Sequence, residues 1–313
     1  MKNRPQRYVL YLLLKGAMAF VRVIPRPWAL GFARFAGKTA FYLVGRQRKK
    51  VLNNLRIAWK NEKTDGELKT IARQVFENLA LTTVDTIRFP SLTGKNLGEW
   101  VVYDDEFARV NRILDKGKGL VILASHIGNW ELLAAAFGLM GYGGGAVVGK
   151  RIYYEKYNQI ITGLRECVNI RTLYRDESPK EMLRVLKNNQ ILGVLADQDV
   201  RSVEGIFVDF FGRPAYTPTA PVKLAMAAQT AMVPVFMIRE GNRYRLIVEE
   251  PIEPQAVKGL KDEAVREYTE RWSAVVERYI RKYPEQWVWM HDRWKTTPEE
   301  IRAAENAGKE KVS

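Results

Sequence analysis

Residues 119–131 read GLVILASHIGNWE, and this stretch says most about the fold. The run 119–124 is apolar throughout, which predicts a buried strand. Gly128 permits an unusual backbone angle at the bend, and Asn129 is a suitable N-cap for a helix over residues 131–140. The stretch therefore predicts a strand, a turn and a helix in direct succession.

Similar alternation continues along the chain. After the N-terminal helices, a further helix is predicted over residues 64–89, before the alternation begins. The predicted strands cover residues 100–103, 119–124, 145–149, 191–196, 231–239 and 244–249. The further predicted helices cover residues 105–116, 131–140, 155–168, 179–188, 219–228 and 260–282. Strands alternating with helices predict an α/β fold, with a mixed, mostly parallel sheet flanked by helices.

Charge divides the chain into two unequal parts. The net charge of the 313 residues is +15, yet residues 1–60 contain fourteen Lys or Arg and no Asp or Glu. The remainder carries 36 basic and 35 acidic residues. A basic block of this kind attracts a polyanion, either an anionic membrane surface or a nucleic acid. Its apolar content favours the membrane, and it lacks the pattern of a recognition helix.

The apolar residues of the basic block suggest how it would meet a membrane. Residues 8–24 form a basic amphipathic helix of about 26 Å, shorter than the roughly 30 Å hydrocarbon core. An interfacial or shallowly inserted anchor is therefore favoured over a transmembrane helix. Residues 28–44 and 46–60 extend the same surface. The expected organisation is an anchor over 1–60, an α/β domain over 61–295 and a polar tail over 296–313.

The reactive side chains are few. Cys167 is the only cysteine, which excludes an intramolecular disulfide and fits a reducing compartment. With two histidines and one cysteine, a zinc site is disfavoured and no metal is expected.

Two strand ends carry candidate catalytic residues. His126 follows one buried strand, and Glu131 would stand in the first turn of the next helix. Across a turn the two side chains could meet, giving a general base and the carboxylate that orients it. The alternative is a histidine that caps a helix beside a solvated glutamate. Asp197 and Asp199 follow a second strand, where pairing with a basic residue is favoured over metal binding.

Other residues offer weaker signals. Lys150 and Arg151 close a strand and Arg165 lies on the following helix, so they could bind phosphate or stabilise an oxyanion, or simply be solvated. Residues 206–211 could form a hairpin or line a groove for an acyl chain. The aromatic residues of 283–294 are expected to pack in a core or an interface.

Three ordered motifs carry a family resemblance. They are SHIGNWE at 125–131, the segment Asp197-Gln198-Asp199 with Phe207, Phe210, Phe211, Gly212, Thr217 and Thr219, and PEQWVWMHDRWK at 284–295. Together they resemble the bacterial lipid A biosynthesis (late) acyltransferases, which include mycobacterial phosphatidylinositol mannoside acyltransferases. Ser125 and Glu131 favour this branch over glycerolipid acyltransferases, which more typically show Asn-His-x4-Asp.

The resemblance implies a direct acyl transfer. His126 would take the proton from an acceptor hydroxyl, with Glu131 orienting it and Arg165 as a supporting cation. Lys150, Arg151, Arg165, Asp197, Asp199, Thr217 and Thr219 are the expected substrate-binding residues. Neither a cofactor nor a serine or cysteine nucleophile is required.

The same resemblance implies partners and a location. The donor would be an acyl-acyl carrier protein and the acceptor an anionic lipid A precursor. The protein would lie on the cytoplasmic face of a bacterial inner membrane, and no nucleic acid is expected as a partner. Three alternatives remain: a phosphatidylinositol mannoside or other glycolipid acceptor, acyl-thioester hydrolysis by water, and a non-catalytic basic protein that binds membrane or nucleic acid.

Overall fold

The computed structural model describes residues 5–142, 145–175, 179–254 and 261–301. Four helices open the chain, and Thr64 and Glu67 form a capping box at the start of the fourth. These helices are α1 (Pro5–Val23), α2 (Arg26–Leu43), α3 (Gly45–Trp59) and α4 (Asp65–Ile87).

Strands and helices alternate after α4. The strands are β1 (Val101–Tyr103), β2 (Leu120–Ala124), β3 (Ala146–Gly149), β4 (Arg171–Tyr174), β5 (Ile191–Leu195), β6 (Gly205–Asp209), β7 (Pro214–Pro218), β8 (Met232–Glu240) and β9 (Arg243–Val248). The helices are α5 (Leu97–Trp100), α6 (Ala108–Leu114), α7 (Trp130–Leu139), α8 (Glu155–Glu166), α9 (Pro179–Lys187), α10 (Ala220–Ala228) and α11 (Lys261–Lys282).

Seven strands form one sheet in the order β1-β9-β8-β2-β5-β3-β4. From β8 to β4 every neighbouring pair is parallel, whereas β9 runs antiparallel to β8. β6 and β7 form a separate antiparallel hairpin. The predicted α/β fold with a mixed, mostly parallel sheet flanked by helices is confirmed.

Some elements differ from the sequence expectation. β4 was not predicted, because a four-residue edge strand gives little periodicity. Residues 206–211, left open between a hairpin and an acyl groove, belong to β6 and the turn after it, and Phe210 and Phe211 are buried in the core. Residue 260 of the last predicted helix, and residues 302–313 of the predicted tail, lie outside the described residues.

Apolar side chains cover both faces of the sheet. α3 contributes Val51, Leu55 and Trp59 to the same core cluster as Trp289. α1 buries only Met18, and leaves large side chains such as Leu13 and Val23 exposed. Within the ranges given above, every helix is too short or too polar to cross a membrane. The anchoring role of residues 1–60 stays a prediction.

Candidate active site

The turn between β2 and α7 is fixed by close backbone packing. Gly128 has a φ of +63°, and a Cβ at this position would stand 1.9 Å from the carbonyl oxygen of Met237. The Thr82 hydroxyl donates to the carbonyl oxygen of Gly128 over 3.1 Å. The side chain of Asn129 accepts from the Leu132 amide at 2.9 Å and so caps α7. Only glycine fits this turn, which holds His126 at the end of β2.

A buried polar network supports the cap from below. The Asn129 side chain donates to the Tyr244 hydroxyl over 3.2 Å, and this hydroxyl donates to Asp85 over 2.7 Å. Arg26 and Arg239 also bind the Asp85 carboxylate, at 2.8 and 2.9 Å. Burial raises the pKa of Tyr244 above its usual range, and the charge of Asp85 adds to this. The network links α2 and α4 to the start of α7, and no periodic pattern in the sequence predicts it.

β2 and β5 bring His126 and Asp197 together. The strands are parallel neighbours in which Ala124 pairs with Leu195, so both side chains stand two residues beyond the last pair. The His126 ring Nδ1 lies 2.7 Å from Oδ1 of Asp197. Oδ2 of Asp197 accepts from the His126 amide and from the Trp287 indole, each at 2.8 Å. Asp197 therefore fixes both the backbone and the ring of His126.

Electrostatics keep the Asp197 carboxyl ionised. Burial alone would raise its pKa, but the His126 ring and the hydrogen bonds from His126 and Trp287 bring it well below the ordinary range. A carboxylate at Nδ1 requires the ring proton to stand there. The lone pair of the neutral imidazole is then on Nε2, where a general base needs it.

Glu131 has a different partner from the one expected. Both of its carboxylate oxygens accept from Arg165, at 2.8 and 2.7 Å. Burial alone would lower the pKa of Arg165, but the hydrogen bonds and charge of Glu131 raise it. The geometry gives the contact with the His126 ring to Asp197 instead. The physical reason is that Glu131 lies in the first turn of α7 and reaches α8, whereas the ring of His126 meets β5.

The second histidine of the chain stands beside the first. The rings of His126 and His291 are 5.3 Å apart, and the amide nitrogen of Gln198 lies between them. This nitrogen is 3.1 Å from Nε2 of His126 and 2.6 Å from Nε2 of His291. Burial and the nearby His126 lower the pKa of His291 to about 4. Asn54 of α3 holds this segment by donating to the carbonyl oxygens of Trp289 and His291, at 2.8 and 2.7 Å.

The sequence predicts His291 and Trp287 only as members of an aromatic cluster, whereas the structure brings both to the site. The signal that could have located them was the C-terminal motif at 284–295. Gln198 belongs to the second motif, which predicts no role for it. Its position follows from that of Asp197, because it is the next residue along the chain, three positions beyond the end of β5.

Three other predicted site residues have partners other than the His126 ring. Asp199 is buried and accepts from the amide and hydroxyl of Thr296, at 2.8 Å each. Thr217 accepts from the buried guanidinium of Arg293 at 2.5 Å, and the Thr219 hydroxyl meets the carbonyl oxygen of Glu204 at 3.5 Å. These three residues hold local structure together, and their expected contact with substrate stays a prediction.

The basic pair after β3 is exposed. The Arg151 guanidinium stacks 3.8 Å from the centroid of the Tyr174 ring. Lys150 is exposed at the end of the same strand. Their proposed contact with substrate stays a prediction.

An apolar pocket opens beside the histidine. Trp130, whose ring centroid is 5.1 Å from that of His126, lines it together with Glu131 and Arg165. The other walls are apolar residues of β2, β3, β5 and α7, among them Ile122, Leu133, Phe137, Val147 and Leu195. The pocket is narrow, with a volume of about 50 Å³, so a long chain would need its walls to move apart. Apolar walls with one charged pair suit a ligand with a hydrocarbon tail.

A histidine held by a buried carboxylate, next to a tryptophan that lines an apolar pocket, has the geometry of a general base beside a site for an apolar ligand. The chain belongs to the bacterial lipid A biosynthesis acyltransferase family, whose model matches residues 2–296. The protein is accordingly an acyltransferase.

Relatives from several bacteria support this assignment. The chain is 26% identical to the lipid A biosynthesis lauroyltransferase of Escherichia coli K12, over 94% of each chain. It is 26% identical to the phosphatidylinositol mannoside acyltransferase of Mycolicibacterium smegmatis, over 67% of each. The lipid A biosynthesis acyltransferase of Haemophilus influenzae is 25% identical over 58% of this chain and 57% of its own.

Proposed function

We propose that the protein transfers a fatty acyl chain from an acyl-acyl carrier protein to a hydroxyl of a lipid A precursor, with His126 as the general base. The observation that carries this proposal is the hydrogen bond from His126 Nδ1 to the ionised Asp197, which leaves Nε2 as the basic atom of a ring that contacts Trp130 at the wall of the apolar pocket.

The reaction is a direct displacement. Nε2 of His126 removes the proton of the acceptor hydroxyl, and the oxygen attacks the thioester carbonyl. The C–S bond then breaks, and the imidazolium returns its proton to the departing thiolate. Asp197 stabilises the imidazolium between these steps. Such a base supplies about 10²–10⁴ in rate, and positioning and charge stabilisation supply the rest.

Glu131 and Arg165 act as a unit in this proposal. The orienting role expected of Glu131 passes to Asp197, because Asp197 holds the imidazole. Glu131 instead fixes the guanidinium of Arg165 at the wall of the pocket. There Arg165 can stabilise negative charge that develops on the thioester oxygen.

The acyl chain of the donor would occupy the apolar pocket. Ile122, Phe137 and Val147 offer the hydrocarbon contact that such a chain needs. An acyl carrier protein and a lipid A precursor are both anionic, and they suit a chain whose net charge is +15.

The N-terminal helices would place the enzyme on the cytoplasmic face of the inner membrane. Trp28 and Phe35 of α2 are 69% and 71% exposed, and Val23 of α1 is 84% exposed. Basic residues interleave with these apolar ones, as expected for helices that lie in an anionic interface.

The test is transfer of a labelled acyl chain from acyl-acyl carrier protein to a lipid A precursor. We expect His126→Ala to lose about 10²–10⁴ of the wild-type rate. Full activity in this variant would refute the mechanism. Parallel reactions with a phosphatidylinositol mannoside, and with no acceptor, separate the second acceptor class and simple hydrolysis from the proposed reaction.

A further inference from the structure

A second groove lies between α1 and α8, with a volume of about 390 Å³. Its buried lining residues are apolar, namely Met18 and Leu164, which are 6% and 5% exposed. Three exposed cations stand around them: Lys15 and Arg22 from α1 and Lys156 from α8. The groove thus combines an apolar floor with a cationic rim.

The positive charges of the rim lie close together. The ammonium groups of Lys15 and Lys156 lie 5.9 and 5.3 Å from the centroid of the same Tyr11 ring. Arg22 donates from Nε to the carbonyl oxygen of Ile87 at 2.8 Å, which engages one of its five N–H donors. Among the described residues that line the groove, none is acidic. An anion entering here would meet charge of one sign only.

The surroundings indicate where that anion comes from. Leu13, Phe20 and Val23 of α1 are 65%, 59% and 84% exposed, so the helix that forms one wall also presents hydrocarbon outward. A free phosphate would use the cations but gain nothing from Met18 and Leu164. A lipid headgroup would use both, because its phosphate meets the rim and its first carbons meet the floor.

We propose that this groove binds the phosphate headgroup of an anionic phospholipid of the membrane on which the protein lies. The inference rests on the membrane contact proposed above, and not on acyl transfer. It concerns a different surface from the apolar pocket: Leu164 faces the groove, whereas Arg165, the next residue of α8, faces the pocket.

A charge-matched pair of variants tests the site. The groove variant is Lys15→Gln/Arg22→Gln/Lys156→Gln, and the control is Lys38→Gln/Arg46→Gln/Lys49→Gln, all of them exposed positions. Each removes three positive charges from the full-length protein. Binding is measured by co-sedimentation with phosphatidylcholine vesicles, with and without phosphatidylglycerol.

We expect the groove variant to lose about tenfold more affinity for the phosphatidylglycerol vesicles than the control loses. Lys15→Arg/Lys156→Arg, which keeps the charges, should bind like the wild type. Equal losses in the two triple variants would show diffuse attraction and overturn the site. If phosphatidylglycerol does not increase binding of the wild-type protein to the vesicles, the proposed membrane contact is refuted as well. Acyl transfer to a detergent-dissolved acceptor tests the proposed reaction separately.

A charge-neutral variant gives a second, independent test. A Cβ at Gly163, which lines the groove, would meet no atom within 4 Å, so Gly163→Leu fills the groove without straining the fold. We expect it to weaken binding to phosphatidylglycerol vesicles about tenfold. Gly98→Leu on α5, where a Cβ also meets nothing within 4 Å, is the control. Unchanged binding by Gly163→Leu would overturn the site.

Inorganic phosphate separates the two sources of the anion. If the ligand is a lipid headgroup, phosphate equal in concentration to the phosphatidylglycerol should leave the protein on the vesicles. Release of the protein from the vesicles by phosphate would assign the groove to free phosphate and overturn the lipid assignment.

Discussion

Replacing Asp197 with asparagine should reverse the tautomer of His126. Oδ2 of Asp197 accepts two N–H groups with fixed hydrogens, from the His126 amide and the Trp287 indole. The single amide oxygen of asparagine would take that place. Its NH₂ group would then face Nδ1 of the ring, 2.7 Å away in the wild type. Since Nδ1 must accept this bond, the ring proton moves to Nε2, which can no longer act as a base.

The size of the effect follows from what is lost. Without a basic Nε2, transfer should fall by the whole contribution of the general base, about 10²–10⁴ in kcat. Stability should change less, because asparagine still fills the site and accepts the two fixed donors. Weakening charge-assisted hydrogen bonds to neutral ones should cost about 2 kcal/mol of unfolding free energy.

Asp199→Asn is the matched control for the acyl-transfer assay. Asp199 is also buried and accepts two bonds of 2.8 Å, but from Thr296 rather than from the His126 ring. We expect Asp199→Asn to keep most of its kcat while losing comparable stability. The reasoning would be refuted if Asp197→Asn, folded by circular dichroism, kept kcat within about threefold of the wild type, or if both variants lost activity equally.

Two further predictions concern Glu131 and His291. Glu131→Gln should lower the free energy of unfolding by about 2 kcal/mol, because the Arg165 guanidinium loses a charged partner. It should reduce kcat less than Asp197→Asn does. A larger loss of kcat would show that Glu131, and not Asp197, orients His126. His291 has a pKa of about 4 when folded and an ordinary value of 6.5, so only the unfolded chain gains its proton as the pH falls from 6.5 toward 4. Stability is then present above pH 6.5 and is lost below it, by about 2 kcal/mol between pH 7.5 and 5. Urea unfolding at several pH values should show that His291→Gln lacks this loss of about 2 kcal/mol between pH 7.5 and 5. The same pH dependence of unfolding free energy in His291→Gln and the wild type would contradict the lowered pKa of His291.

The sequence predicts the strands and helices correctly where the hydrophobic pattern is strong. The apolar runs at 119–124 and 191–196 became β2 and β5, because a strand buried on both faces needs apolar residues at every position. The sequence also predicts that the ends of these two strands carry site residues, His126 and Asp197. β4 was not predicted, because a short edge strand has too few residues to show a hydrophobic pattern.

The pairing of the site residues was beyond the sequence. Spacing placed Glu131 near His126 but could not say which carboxylate meets the ring. That choice depends on the register of β2 with β5, which brings Asp197 level with His126 from 71 residues away. The place of His291 depends on a segment held by Asn54, a contact across 237 residues. Local patterns do not encode contacts of this range.

Asn54 also limits how this enzyme can be engineered or can diverge. Its amide ties α3 to the carbonyl oxygens of Trp289 and His291, while Val51 and Leu55 of the same helix lie in the main core. A foreign leader grafted in place of residues 1–60 would release the loop that carries His291. Residues 1–60 therefore cannot be exchanged without removing the contacts that hold the loop of His291.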